Sequence, residues 1–261
     1  MPEPLRWLVR PELRDPLLVL AFEGWNDAGE SATTAARHLA AQLGAAPLAE
    51  IDPEPFFDFT VRRPLVRVED GVVQQVEWPT CRFLYAATGE SREVVIGLAI
   101  EPHLQWRLYT EQVLALAKAL HVRRAVLLGA YLADVLYSRP VGVTAVASHA
   151  ALLDRHGLEP TRYEGPTGMV GLLGWELRER GVETLALWAG LPHYINVTPN
   201  PRGALALLDC AAPLLDTKLD LEPLRSAARD CEQRMSQMVA ADPELSEYVR
   251  ELKRREFGSG S

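Results

Sequence analysis

The hydrophobic pattern of this chain switches between two periods. Short apolar runs at residues 17–22, 46–51, 82–87, 93–97, 124–128, 144–147 and 183–189 predict strands. Between them lie segments whose apolar positions recur every three or four residues. These predict helices over 31–43, 104–120, 150–156, 169–180 and 202–215. Leu104, Leu108, Val113, Leu116 and Leu120 give the helix over 104–120 its apolar face. Gly44, Gly157 and Gly181 stand where three of the helices end, a position that favours glycine. Runs at 65–68 and 72–76 flank Glu69-Asp70-Gly71 and predict a hairpin, because Asp-Gly accepts the tight turn. From Leu221 onward the pattern is amphipathic and charged. It predicts helices over 222–240 and 244–255, split at Asp242-Pro243.

Strands alternating with helices imply an α/β fold, with helices on both faces of the sheet and a middle region that is antiparallel or mixed. The chain carries no internal repeat and no clean linker. The expected organisation is one α/β unit over residues 1–219, a C-terminal helical extension over 220–256, and a flexible, linker-like tail over 257–261.

Composition changes this picture only at the margins. With 261 residues, 48% of them hydrophobic, the chain can bury a large core. Its net charge of −8 argues against unspecific nucleic-acid binding, which is driven by phosphate neutralisation. Arg62-Arg63, Arg123-Arg124 and Arg254-Arg255 are short basic pairs that read as solvated surface. Cys81, Cys210 and Cys231 are scattered, with neither metal-ligand spacing nor a disulfide framework. No metal and no cofactor are expected. The N-terminus carries no secretory signal pattern, and no run approaches the roughly 18 apolar residues of a membrane span. The expected location is the cytoplasm.

Candidate chemistry gathers in polar turns that follow strand-like runs. The first is Phe22-Glu23-Gly24-Trp25-Asn26-Asp27-Ala28-Gly29, at the carboxyl end of a strand, where α/β proteins place binding sites. Glu101-Pro102-His103, Tyr163-Glu164-Gly165-Pro166-Thr167-Gly168 and Pro192-His193-Tyr194 are the others. Together they propose a polar rim of Asn26, Asp27, Glu101, Arg139, Glu164, Thr167 and His193. Carboxylates beside a histidine can transfer protons when their environments tune them, with Glu164 as a base and Arg139 holding an anion. The plainer alternative makes these groups helix caps and turn-fixing hydrogen bonds. Gly168, Gly171 and Gly174 recur every three residues and share a helix face, which favours close packing over anion binding. The run is not a Walker loop, since the lysine is absent. Ser31, Ser91, Ser138 and Ser148 lack a nucleophile-elbow context.

Taken together, these motifs resemble the proteasome assembly chaperone family, in its actinobacterial branch. The resemblance runs through Phe22-Glu23-Gly24-Trp25-Asn26-Asp27-Ala28-Gly29, Asp58-Phe59 with Arg63-Pro64, Glu77-Trp78-Pro79 and Glu101-Pro102 with Trp106. It continues with Leu128-Gly129-Ala130, Arg139-Pro140, the turn at 163–168, Trp188-Ala189 and Pro192-His193-Tyr194. It implies a three-layer α/β/α sandwich with a mixed sheet, similar to nucleoside phosphorylases and hydrolases. It also implies self-association as a trimer and names proteasome α subunits as candidate partners. Archaeal and eukaryotic members use a C-terminal tail with a penultimate tyrosine. This chain ends in Phe257-Gly258-Ser259-Gly260-Ser261, and Tyr248-Val249-Arg250 falls inside a predicted helix. Two functions stay open: a protein-binding, assembly-chaperone-like role, and an enzyme or binding protein for a nucleoside-like or other small polar metabolite.

Overall fold

The structure, a computed structural model, describes residues 4–87, 93–216 and 218–258. The end of the expected tail, 259–261, and Ser91 lie outside the described residues. Eleven strands and seven α-helices follow one another along the described chain. They are β1 (Leu5–Trp7), β2 (Leu17–Glu23), α1 (Ser31–Gln42), β3 (Ala46–Ile51), β4 (Leu65–Glu69), β5 (Val72–Glu77), β6 (Cys81–Ala86) and β7 (Val94–Ile100). Then come α2 (Trp106–Ala119), β8 (Arg124–Ala133), β9 (Val143–Ala147), α3 (Ala150–His156), β10 (Glu159–Pro160), α4 (Met169–Glu179), β11 (Glu183–Pro192), α5 (Pro201–Leu215), α6 (Glu222–Ala241) and α7 (Pro243–Gly258).

Nine strands form one mixed sheet in the order β1-β3-β6-β7-β2-β8-β11-β9-β10. Its centre, β7-β2-β8-β11, is parallel. The neighbours β3, β6 and β9 pair antiparallel. The sheet is mixed because β6 returns antiparallel between β3 and β7, whereas the central strands are joined through helices. β4 and β5 form a separate two-stranded sheet.

The alternation of β2 sorts the core. Leu18, Leu20 and Phe22 face α2 and α4, while Leu17, Val19 and Ala21 face α1 and α5. A third apolar cluster joins Cys231, Met235 and Val239 of α6 to Val249 and Leu252 of α7. Leu136 and Ile195, from the loops after β8 and β11, complete it. No helix among the described residues is long and apolar enough to cross a membrane.

The observed elements depart from the sequence pattern in specific places. β1 and β10 were not expected; at three and two residues they are too short to show a period. β8 and β11 run on to Ala133 and Pro192, beyond the expected 124–128 and 183–189. Gly129 is an interior seat: a Cβ there would lie 2.5 Å from the Trp188 ring, its partner across the strands. Helix α2 starts at Trp106, two residues later than its apolar pattern, because Gln105 takes a left-handed conformation (φ 52°).

Candidate functional site

Because β2, β7, β8 and β11 are parallel, the turns that leave β2, β7 and β11 lie along one edge of the sheet. Gly24 (φ 126°) and Gly29 (φ 57°) both use backbone conformations that other residues rarely adopt. At Gly29 a Cβ would also meet Asn200 Cβ at 2.9 Å. Between these glycines Asn26 is fully buried and Asp27 nearly so.

The two residues do different work. Asp27 caps α1: Oδ1 accepts from the backbone N–H of Ala32 at 2.6 Å and of Thr33 at 3.3 Å, and Oδ2 accepts from the Thr33 hydroxyl at 2.5 Å. Burial pushes its carboxyl above the ordinary 3.8, against the pull of those bonds. Asn26 instead ties the rim together. Its carbonyl accepts from the N–H of Ala130 on β8 at 2.8 Å. Its side chain donates to Glu101 Oε1 at 2.5 Å. The same oxygen accepts from Met169 N–H at 2.7 Å, the first turn of α4. Gly168 lets this knot close, since a Cβ there would lie 2.3 Å from Asn26 Nδ2 and 2.4 Å from Glu101 Oε1.

The remaining rim residues fall elsewhere. His193 Nε2 lies 2.7 Å from Asp134 Oδ1 and 3.0 Å from the Tyr248 hydroxyl, and Tyr248 donates to the same carboxylate at 2.8 Å. This cluster pins α7 to the end of β8. The backbone carbonyl of Arg139 accepts from Arg202 at 2.6 Å, and its side chain is exposed. Glu164 and Thr167 are exposed on a groove wall. The seven candidates thus divide into the Asn26–Glu101 knot, the Asp27 cap beside it, the His193 cluster, the Arg139 loop and the groove pair. Among the described residues no group of three or more His, Cys, Asp or Glu is placed to hold a metal ion.

Hydrogen bonds from Tyr248 and then His193 hold the Asp134 carboxyl below its ordinary 3.8. A depressed folded value stabilises the docked helix above 3.8 and loses that contribution as pH falls through the lowered value. The Tyr194–Tyr248 ring pair, 5.0 Å between centroids, reports on it. Its near-ultraviolet circular dichroism should fade as pH drops below about 3.8, and Asp134→Asn should remove that step. A step that persists in the variant contradicts the assignment.

The groove itself was not anticipated. It encloses about 1400 Å³ between α4, one face of β9 and β11, and the loop over 161–167. Its floor is made by two crossed pairs on adjacent strands. Trp188 lies over Gly129, and Tyr131 lies over Gly190, whose Cβ would meet the Tyr131 hydroxyl at 3.3 Å. Each glycine seats the aromatic ring of its own cross-strand partner. Trp175 (53% exposed) stands on the α4 wall, Tyr163 (60%) on the loop, and Trp25 (60%) at one end. The mirrored spacing Gly129-x-Tyr131 and Trp188-x-Gly190 is the sequence signal that could have revealed this floor.

The PAC2 family model matches residues 21–239, most of the chain. The chain belongs to the PAC2 family. Its solved relatives include a PAC2 family protein from Streptomyces avermitilis, 42% identical, with TM-score 0.82 over 90% of this chain and 100% of that one. A proteasome-assembly chaperone homologue from Mycobacterium tuberculosis is 40% identical, with TM-score 0.82 over 89% of this chain and 99% of the other. An archaeal proteasome activator from Pyrococcus furiosus, 20% identical, shares the fold with TM-score 0.71 over 90% of this chain and 97% of its own. No curated protein matches the chain. The C-terminal helices belong to the shared architecture: a Mycobacterium tuberculosis protein of unknown function, 27% identical, aligns over 99% of this PAC2 chain with TM-score 0.88.

Proposed function

We propose that this PAC2 protein is a protein-binding, assembly-chaperone-like protein. It self-associates, as a trimer, and takes proteasome α subunits as partners in the cytoplasm. The observation that carries the reading is the groove: a concave surface floored by half-buried Trp188 and exposed Tyr131 and walled by exposed Trp175 and Tyr163. Those side chains anchor protein interfaces, because they bury large area at little entropic cost. The neighbouring carboxylates of Asp27 and Glu101 are engaged in holding the starts of α1 and α4. The names of the mycobacterial and archaeal relatives support the same direction.

The test is native mass spectrometry of the purified chain, alone and with recombinant proteasome α subunits, beside the Trp175→Ala variant. The expected result is a trimer and a complex with α subunits. At least one of these assemblies should weaken about 30-fold in the variant, the effect of losing one anchor worth about 2 kcal/mol. A monomer that binds no α subunit and retains a small polar metabolite contradicts the reading and favours a ligand-binding role for the groove.

A further inference from the structure

Outside the groove, the β4–β5 hairpin exposes six large apolar side chains, Leu65, Val66, Val68, Val72, Val73 and Val76. Its register pairs Val66 with Val76 and Val68 with Val73, with an irregularity between Arg67 and Val68. Residues directly opposite one another share a face, and alternate residues of a strand do too. The irregularity therefore brings Val73 onto the face of Val66, Val68 and Val76. These four valines are 47–61% exposed. The opposite face carries Arg67, Glu69, Gln75 and Glu77 together with Leu65 and Val72, so one face of the hairpin is wholly apolar and the other mixed. A two-stranded hairpin is marginal alone and needs a surface to lie on.

That surface is not its own groove. The hairpin joins β3 to β6, at one end of the sheet, and the groove lies over β11 and β9, at the other. Five strand spacings separate β6 from β9, roughly 24 Å at about 4.8 Å each. The segment that leads into the hairpin packs, through Phe56 and Phe57, in the α2–α4 half of the core, the face that also carries the groove. A convex apolar element at one end and a concave one at the other suit head-to-tail contact between copies, which closes into a ring when the rotation permits.

Charge sets the direction of insertion. Arg67 is held by Glu77 at 3.5 Å, which leaves the turn Glu69-Asp70 as an acidic tip. Helix α4 runs from the rim towards the start of β11, and β10 follows β9 in the same direction. Arg178, whose guanidinium lies 5.6 Å from the centre of the Trp175 ring, and Arg162 therefore stand at that same end of the groove, whose lining also carries Glu159 and Glu164.

Resting on the reading of the groove as a protein-binding surface, we infer that the groove of one copy receives the β4–β5 hairpin of a second copy. The valines lie on Trp188 and Tyr131, and the acidic tip meets Arg162 and Arg178. The test is disulfide trapping of the full chain under mild oxidation, using Val73→Cys, Val146→Cys and the double variant. Both positions are exposed (55% and 49%), so the substitutions leave the core intact. Circular dichroism checks the fold of each. The expected result is linked oligomers from the double variant and from an equimolar mixture of the two single variants, with neither single variant alone linking. Linking by Val73→Cys alone, through two facing hairpins, overturns the inference. So does the absence of linking in the double variant. If linking fails while Trp175→Ala still weakens binding of α subunits, the groove remains a protein site and only its occupant is wrong. If both fail, the groove reading falls as well.

Discussion

Replacing Arg202 with alanine is expected to lower the free energy of unfolding by about 3 kcal/mol, the loss of two charge-assisted hydrogen bonds and the stranding of their acceptors. Arg202 is 9% exposed, in the first turn of α5. Its guanidinium donates to the carbonyl of Tyr137 and, at 2.6 Å, to that of Arg139, and approaches Met235 Sδ of α6 at 3.6 Å. One cation therefore fastens the loop after β8 to α5 and to α6. Leu136 of that loop belongs to the cluster that seats α6 and α7, so the loss should spread to both helices. Urea denaturation measures the magnitude. Hydrogen exchange should show protection lost first in the loop over 134–140 and in α6. A change below about 1 kcal/mol, or protection lost evenly across the sheet, contradicts this role. Arg202→Lys should recover part of the loss, since one ammonium cannot span both carbonyls as a planar fork does.

Glu101→Ala is expected to cost about 2–3 kcal/mol and to loosen the groove at the same time. The substitution takes the shared acceptor from the fully buried Asn26 side chain and from Met169 N–H. A stranded buried donor costs about 1–3 kcal/mol. Gly168→Ala should reach the same end by the opposite route. Its Cβ would press within 2.5 Å of both Asn26 and Glu101, whose short, bonded side chains have little room to yield. Since α4 is the groove wall that carries Trp175, both variants should bind protein partners less tightly than their loss of stability alone explains. Denaturation curves beside binding isotherms separate the two effects. Full binding by a destabilised Glu101→Ala protein rules out the link between knot and groove.

The layered α/β architecture was legible in the sequence because buried strands and amphipathic helices leave different periods. The hairpin was legible because Asp70-Gly71 supplies its turn, with φ of 50° and 78°. The reach of β8 and β11 was not. Gly129 reads locally as a strand end, and only the ring of Trp188, a residue distant in sequence, explains it. The polar rim divides the same way. Asp27 caps the helix that follows it, a local relation visible in the chain. Asn26, Glu101 and Gly168 meet only once β2, β7 and α4 are brought together. His193 sits in a turn that reads like the others, yet it bonds to Asp134 and Tyr248, more than 50 residues away on each side. Arg202 carried no local signal, because its partners are backbone carbonyls, which every residue has.

Amide hydrogen exchange tests the central claim, that this PAC2 protein acts by docking protein on its aromatic groove. The chain is compared at concentrations above and below self-association, and with proteasome α subunits added. The account predicts that association slows exchange across 161–167 and across the last two turns of α4, where Tyr163 and Trp175 line the groove. Association that leaves those segments unchanged and protects another surface contradicts it.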